Sequence, residues 1–417
     1  MPENFHIDMP EAVRNIIHTI EEHGFKAYAV GGCIRDSILG RNPDDWDITT
    51  SAVPSQIKTF FKRTVDTGIA HGTVTIMIDK TGYEVTTYRI DGEYEDGRHP
   101  KSVEFSDRLV DDLCRRDFTI NAMAYNDTDG FVDEFKGLDD LDTKKIRCVG
   151  EPELRFTEDA LRMMRAIRFS AQLGFTIDEA TWNAIKKLSP SISKISMERV
   201  HVELGKTLMS AHPDYVAQYS EAGLFAPILP VIDNALKSRY KRKILATLQH
   251  TPDNIYLRYA ALFITSTPDE AAKTLRALKL DNKTVNTVSK LVELSKMDIE
   301  ETEPAVRTAL NKYGRDFLPL WHELMMAVIQ ASEDITGISN PAKVKHLLTL
   351  KRLGTDILAR GDCFTIKDLD ISGNDLIEYG LQGHEIGETL KSLLDIVIEN
   401  PKLNDKATLI AMIEHIK

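Results

Sequence analysis

From Tyr28 to Thr50 the chain reads YAVGGCIRDSILGRNPDDWDITT, a segment whose side chains suit the handling of phosphates and metal ions. Asp45 and Asp47 are two residues apart, so on a strand both carboxylates point to one face. A pair held that way can share divalent cations, which bridge an attacking oxygen and the phosphates of a nucleotide. Ahead of it, Gly31-Gly32 follows an apolar run and precedes a helix carrying Arg35 and Asp36. Paired glycines let backbone approach a phosphate, and a helix N-terminus offers free N–H groups to an anion. Each piece alone is common; in this order and spacing they point to nucleotide chemistry. Trp46, between the aspartates, is expected to point the other way, into the core.

A rival reading takes DWDIT as the DxDxT pattern of aspartate-nucleophile phosphatases, with Asp45 as nucleophile and GDCFTIKD as the acidic motif. There the first aspartate should end a buried strand. Here it follows GRNPD, and the glycine turn and Arg35 would have no task.

Further along, Glu84 in YEVTTY lies on a predicted strand and is a candidate third carboxylate for the same site. Residues 89–100 are charged and contain glycine, as in a surface loop. Next, RRDFTINAMAY sets Arg115 and Arg116 before an apolar segment. EDALRMMRAIRF is predicted to be one helix on which Asp159, Arg162, Arg165 and Arg168 form a row at three-residue spacing, with Leu161, Met164 and Ile167 packing beneath. A carboxylate accepts from the exocyclic amine of cytosine or adenine, and a guanidinium donates to the neighbouring ring or carbonyl acceptor. Uracil would meet Asp159 acceptor to acceptor, at a cost of about 1–3 kcal/mol. Asp159 and Arg162 are therefore candidate base selectors.

Positioning these residues requires elements of two kinds. Val13, Ile16, Ile17 and Ile20 fall on one helix face, and KAYAV, DWDIT, TVTIMI and YEVTTY are strand candidates separated by turn residues. They predict a small mixed sheet with covering helices. Past residue 150 helical periodicity takes over, with joints at HPDY, STPDE, ISNPAK and near Gly361. The fold class is α+β, with a head over 1–150, a helical neck over 151–211, a helical body over 212–338 and a helical tail over 339–417. In the neck, Ser196 is expected to cap a helix braced by an Arg199–Glu203 pair. His322-Glu323 is expected on a helix surface, with no metal role.

With 52 Lys+Arg against 64 Asp+Glu, the net charge is −12, which excludes indiscriminate coating of nucleic acid. It is compatible with local basic tracks. KSRYKRK (237–243) and the 342–352 segment with Lys343, Lys345, Lys351 and Arg352 are candidates for RNA phosphate contacts. Four scattered cysteines without a CxxC pair indicate neither a zinc site nor a disulfide framework, and no run reaches membrane-span length. A soluble, cytoplasmic chain is expected.

The segment GGCIRDSILGRNPDDWDI resembles the signature of polymerase-β-type nucleotidyltransferases, in the branch of bacterial CCA-adding tRNA nucleotidyltransferases and poly(A) polymerases. RRDFTINAMAY and EDALR continue the likeness in order, and it extends diffusely into the tail. The resemblance implies a polymerase-β-like head and addition of C, C and A to tRNA from CTP and ATP, with pyrophosphate released and no template. Asp45 and Asp47 would hold two Mg²⁺, while Gly32 and Arg35 would hold phosphates or ribose. Arg116 would contact the incoming nucleotide, supported by Asp117. Asp159 and Arg162 would face the base, and Arg165 and Arg168 would line the pocket. Asp91, Tyr94, Asp96 and Arg98-His99-Pro100 resemble the loop implicated in switching from C to A. The partners implied are tRNA and the two nucleotides, with neither membrane nor DNA. Poly(A) polymerase activity, or RNA binding without catalysis, remain as alternatives.

Overall fold

The computed structural model describes residues 6–92 and 102–416. The chain divides into two units, Met1–Pro230 and Val231–Lys417.

In the first unit, α1 (Glu11–Glu22) buries Val13, Ile16, Ile17 and Ile20, the face foreseen from their spacing. The strands β1 (Ala27–Val30), β2 (Ile48–Thr50), β3 (Thr64–Gly68), β4 (Thr73–Ile78) and β5 (Thr81–Thr87) enclose the short helices α2 (Gly32–Ile38) and α3 (Pro54–Phe60) in sequence. Arg89–Asp91, expected in a loop, forms β6 and pairs with β7 (Val103–Phe105), because Ile90 and Glu104 lie in antiparallel register. Of the switching-loop residues only Asp91 falls on this strand; Tyr94 to Pro100 lie outside the described residues. After α4 (Leu109–Cys114) come β8 (Ala124–Asn126) and β9 (Gly130–Val132), which complete a sheet of order β3-β4-β5-β2-β1-β8-β9. The sheet is mixed, since β2 runs parallel to β5 and antiparallel to β1. Tyr28, Val30, Tyr88, Leu113 and Val149 form part of its core.

The helices α5 (Gly137–Asp142), α6 (Pro152–Glu158), α7 (Leu161–Leu173), α8 (Glu179–Leu188), α9 (Met197–Leu208) and α10 (Ala217–Glu221) follow. Among the described residues past 150, the one strand is Thr176–Ile177, which runs parallel to Lys145–Ile146. The row expected from Asp159 to Arg168 is broken. Asp159 is extended (φ −144°, ψ 103°) and terminates α6, and its side chain accepts from the Leu161 N–H at 3.0 Å. An aspartate here serves the free N–H groups of the next helix better than it would continue the first. The Arg199–Glu203 brace is also absent. Glu203 is buried against Arg168 of α7, whereas Arg199 pairs with Asp159 at 2.7 Å. Ser196 stands at the N-cap of α9, but its side chain makes no cap hydrogen bond.

The second unit is helical: α11 (Pro230–Lys237), α12 (Lys241–His250), α13 (Ile255–Leu262), α14 (Pro268–Ala277), α15 (Asn282–Leu294), α16 (Glu303–Tyr313), α17 (Phe317–Thr336), α18 (Pro341–Arg360), α19 (Gly373–Glu378), α20 (His384–Glu399) and α21 (Lys406–Ile416). STPDE caps α14, and ISNPAK separates α17 from α18. No helix is long and apolar enough to cross a membrane. His322 is buried in α17 rather than on its surface, and burial together with the nearby Lys351 charge lowers its pKa. Leu318, one turn earlier, packs where Gly354 lets α18 approach; a Cβ on Gly354 would sit 1.9 Å from Leu318 Cδ2. Arg307 is 2% exposed and is engaged with Glu303, Asp362 and the Ile398 carbonyl.

Candidate active site

Gly31 turns the chain from β1 into α2 at φ +87°, a conformation open to glycine but strained for other residues. A Cβ there would also meet Arg116 Nη1 at 2.9 Å. The turn opens onto a cavity of about 630 Å³ whose wall includes Gly31, Gly32, Arg35, Asp45, Asp47, Arg116, Arg165 and Arg168. Seven of these eight had been singled out for nucleotide or metal binding from sequence; Gly31 belongs to the same glycine turn.

Asp45 and Asp47 stand just before β2 rather than on it, but the Val30 N–H donates to the Asp47 carbonyl at 3.0 Å and prolongs the ladder with β1. Ile48 is in register with Val85, which brings Asp47 level with Glu84 on β5. Asp47 is open to solvent on one side, yet crowding by the cavity wall raises its carboxyl above the ordinary range. Arg116 opposes that rise, and the Asp45 charge adds to it. Burial, then Asp47 and Asp45, likewise raise Glu84. Carboxylates that repel one another in a half-enclosed site suit a hard cation with oxygen ligands. Among the described residues no group of three acidic, His or Cys side chains is placed to hold a metal. Trp46 is only partly buried.

Opposite charge is supplied by arginines. Arg35 is buried, forked onto Asp36 at 2.8 and 3.0 Å, and donates to Asn121 Oδ1 at 2.6 Å. Asn121 in turn donates to Asp117 at 3.0 Å, and Arg165 donates to the second Asp117 oxygen at 2.7 Å. Burial alone would raise the Asp117 pKa, but Arg165 and Asn121 hold it down to about 2. Arg168 is buried against Glu203 and donates to Gln172 at 2.7 Å. Arg116 bonds Asp112 at 3.2 Å, and its Nε has no partner among the described residues.

Asp159 and Arg162 are not in the cavity wall, and the Arg162 backbone N–H donates to the Asp159 carbonyl at 3.0 Å. Arg199 holds Asp159, while Arg162 donates to the Arg155 and Arg115 carbonyls at 3.1 and 3.0 Å and pairs with Glu158. They adjoin the wall electrostatically, since Arg162 acts on Asp117 and Asp159 on Arg165. Sequence reading missed Asp112, Asn121 and Glu158. For Asp112 the signal existed: it precedes Arg115 and Arg116 by three and four residues, the spacing of helix neighbours.

Comparison with known proteins agrees with this geometry. The Poly A polymerase head domain family matches residues 27–147, and the tRNA nucleotidyltransferase domain 2 family matches 256–413. The CCA-adding enzyme of Pediococcus pentosaceus is 34% identical, covering 98% of each chain, and that of Levilactobacillus brevis is 36% identical, covering 99% of this chain and 98% of its own. Among solved structures, the Bacillus stearothermophilus CCA-adding enzyme in complex with CTP aligns with a TM-score of 0.75 at 31% identity, over 97% of this chain and 96% of that one. The Thermotoga maritima CCA-adding enzyme complexed with tRNA shares the fold, with a TM-score of 0.61 at 20% identity over 99% of this chain and 97% of that one. With full-length relatives above 30% identity and a cavity that sets paired aspartates against arginines, the chain belongs to the CCA-adding enzyme family of nucleotidyltransferases.

Proposed function

We propose that the protein adds C, C and A in turn to the 3′ end of tRNA, taking CTP and ATP and releasing pyrophosphate without a template. The observation that carries the reading is the single cavity in which Asp45 and Asp47 face Arg116, Arg165 and Arg168. In each step the terminal 3′-oxygen bonds to the α-phosphorus, the α–β phosphoanhydride bond breaks, and the hydroxyl proton leaves to solvent. Asp45 and Asp47 would hold Mg²⁺, with Glu84 beside them; bound there, the metal lowers the pKa of the 3′-hydroxyl and offsets triphosphate charge. Arg116 binds and orients the triphosphate from across the glycine turn, where Gly32 leaves room for a phosphate and Arg35 fixes the floor. Arg165 and Arg168 line the nucleotide side of the pocket.

Asp159 and Arg162 select the base once each exchanges its present partners for the edge of cytosine or adenine. Such an exchange gives selectivity of the size expected for paired hydrogen bonds, roughly 5- to 150-fold per wrong base. The tRNA body is held by basic side chains of the second unit. Lys343, Lys345 and Lys351 on α18 are exposed and have no ion-pair partner among the described residues. By contrast, in the 237–243 tract Lys237 pairs with Asp233, Arg239 lies on Tyr240 and Arg242 donates to the Asp334 carbonyl. We place the reaction in the cytoplasm, with its substrates.

Poly(A) addition is the second reading, favoured by the head-domain match over 27–147. The purified protein should extend tRNA lacking its end by C, C and A and then stop. Long A-tracts without C incorporation would establish poly(A) addition instead, and no incorporation from any nucleotide would defeat both.

A further inference from the structure

We infer that Asp112 is a positioning residue for nucleotidyl transfer, fixing the Arg116 guanidinium between the glycine turn and Asp47; the inference rests on the reading above. Asp112 lies on α4, outside the cavity wall, and is 0% exposed. A carboxylate that deep is costly unless paired, and here each oxygen has a separate task. Oδ1 receives Arg115 through Nε at 2.9 Å and Nη2 at 2.6 Å. Oδ2 receives Arg116 Nη2 at 3.2 Å and the Thr49 hydroxyl at 3.1 Å. Burial opposes the charge on Asp112, yet the two arginines hold its pKa below the ordinary value, so it remains an anion.

The Oδ2 side matters for chemistry. Thr49 is in β2, two residues after Asp47, so one carboxylate oxygen ties Arg116 to the strand that directly follows the paired aspartates. Among the described residues Asp112 is the sole acceptor of the Arg116 guanidinium, and Arg116 Nε is buried without a partner. The rest of that guanidinium borders the cavity, with Nη1 where a Gly31 side chain would begin, and its charge acts on Asp47. An arginine with one anchor and several unused N–H groups is built to receive an anion, and its orientation is set by the anchor. Arg115, whose fork takes all of Oδ1, keeps Asp112 from rotating its other oxygen away from Arg116.

Removing the anchor charge makes the cavity more positive, so nucleotide binding should survive while orientation is lost. In Asp112→Asn, kcat for CMP and AMP addition should fall at least tenfold, with the KM for nucleotide changed less than threefold. A variant that was merely misfolded would lose active molecules without that split, and unfolding curves would reveal it. The decisive comparison is a cycle with Arg116→Lys, which retains the charge and loses the fork. If Asp112 acts through Arg116, the double variant is no slower than Arg116→Lys alone, within about twofold. Multiplying effects would overturn the inference. Should Asp112→Asn not fold, Thr49→Val removes the other donor to Oδ2 and keeps the charge. Its expected threefold fall in kcat should vanish in the Arg116→Lys background, and a fall that persists there counts equally against us. Wild-type protein that incorporates no nucleotide would defeat the functional reading itself, an outcome distinct from additivity in an active enzyme.

Discussion

Two arginines, one in each unit, use the same chemistry to opposite ends. Arg307 in the second unit is 2% exposed and saturated: Nε donates to Asp362 at 3.0 Å, Nη2 to Glu303 at 2.6 Å and Nη1 to the Ile398 carbonyl. Its bonds tie α16 to the end of α18 and to α20. In the first unit the half-buried Arg116 guanidinium has, among the described residues, one acceptor and an unpartnered Nε, and it borders a cavity that also holds two repelling aspartates. Saturation, more than burial, separates an arginine that holds the fold from one that awaits a ligand.

The sharpest way to break this distinction is to neutralise an aspartate at the unsaturated site. Asp47→Asn should reduce incorporation at least about a thousandfold, about 4 kcal/mol of transition-state stabilisation. Its thermal midpoint should not fall, because the substitution relieves repulsion with Asp45 and Glu84. Activity within tenfold of wild type would remove Asp47 from the chemistry.

The converse holds at the saturated site. Arg307→Leu leaves Glu303 and Asp362 facing a lost partner, though Arg360 still bonds Asp362 at 2.9 Å. Breaking a buried pair typically costs about 3–5 kcal/mol, and the surviving Arg360 bond points to the lower end. Urea unfolding followed in the second unit should show an earlier transition, while kcat at temperatures below that transition stays within about twofold. A selective loss of kcat in a stably folded variant would show that saturation does not mark a structural arginine.

What could be read ahead of the structure follows the same division. Local patterns were legible: the buried face of α1, the strands from KAYAV to YEVTTY, and the clustering of Asp45, Asp47, Gly32, Arg35, Arg116, Arg165 and Arg168 about one cavity. Partner choice was not. EDALRMMR contains no glycine or proline, so the one local mark of the break is the capping ability of Asp159 itself; the break also accompanies the long-range pairing of Asp159 with Arg199, 40 residues on. Glu203 faces Arg168 rather than Arg199 for the same kind of reason, because packing of α9 on α7 decides which charge is within reach. His322 looked like a surface residue because its helix neighbour Glu323 is one, yet a single helix step separates buried from exposed.

The smallest expected effect concerns charge that is neither saturated nor enclosed. Lys343 and Lys345 lie two residues apart near the start of α18, both exposed. If they meet tRNA phosphates, the double variant Lys343→Ala/Lys345→Ala should raise the KM for tRNA roughly three- to tenfold at low salt. The slope of log affinity against log salt should become shallower by roughly 1.4–1.8, since each phosphate contact contributes about 0.7–0.9. Nucleotide KM and kcat at saturating tRNA should be unchanged, because neither lysine belongs to the wall of the cavity that holds Asp45 and Asp47. Arg242, already donating to the Asp334 carbonyl at 3.4 Å, provides the contrast within the same unit. Its replacement by alanine should alter the salt slope by less than half as much as the double lysine variant, because a side chain with a partner in the free protein gives up that contact to bind RNA. Equal slopes for the two variants would show that freedom from partners does not single out the tRNA-binding charges of this chain.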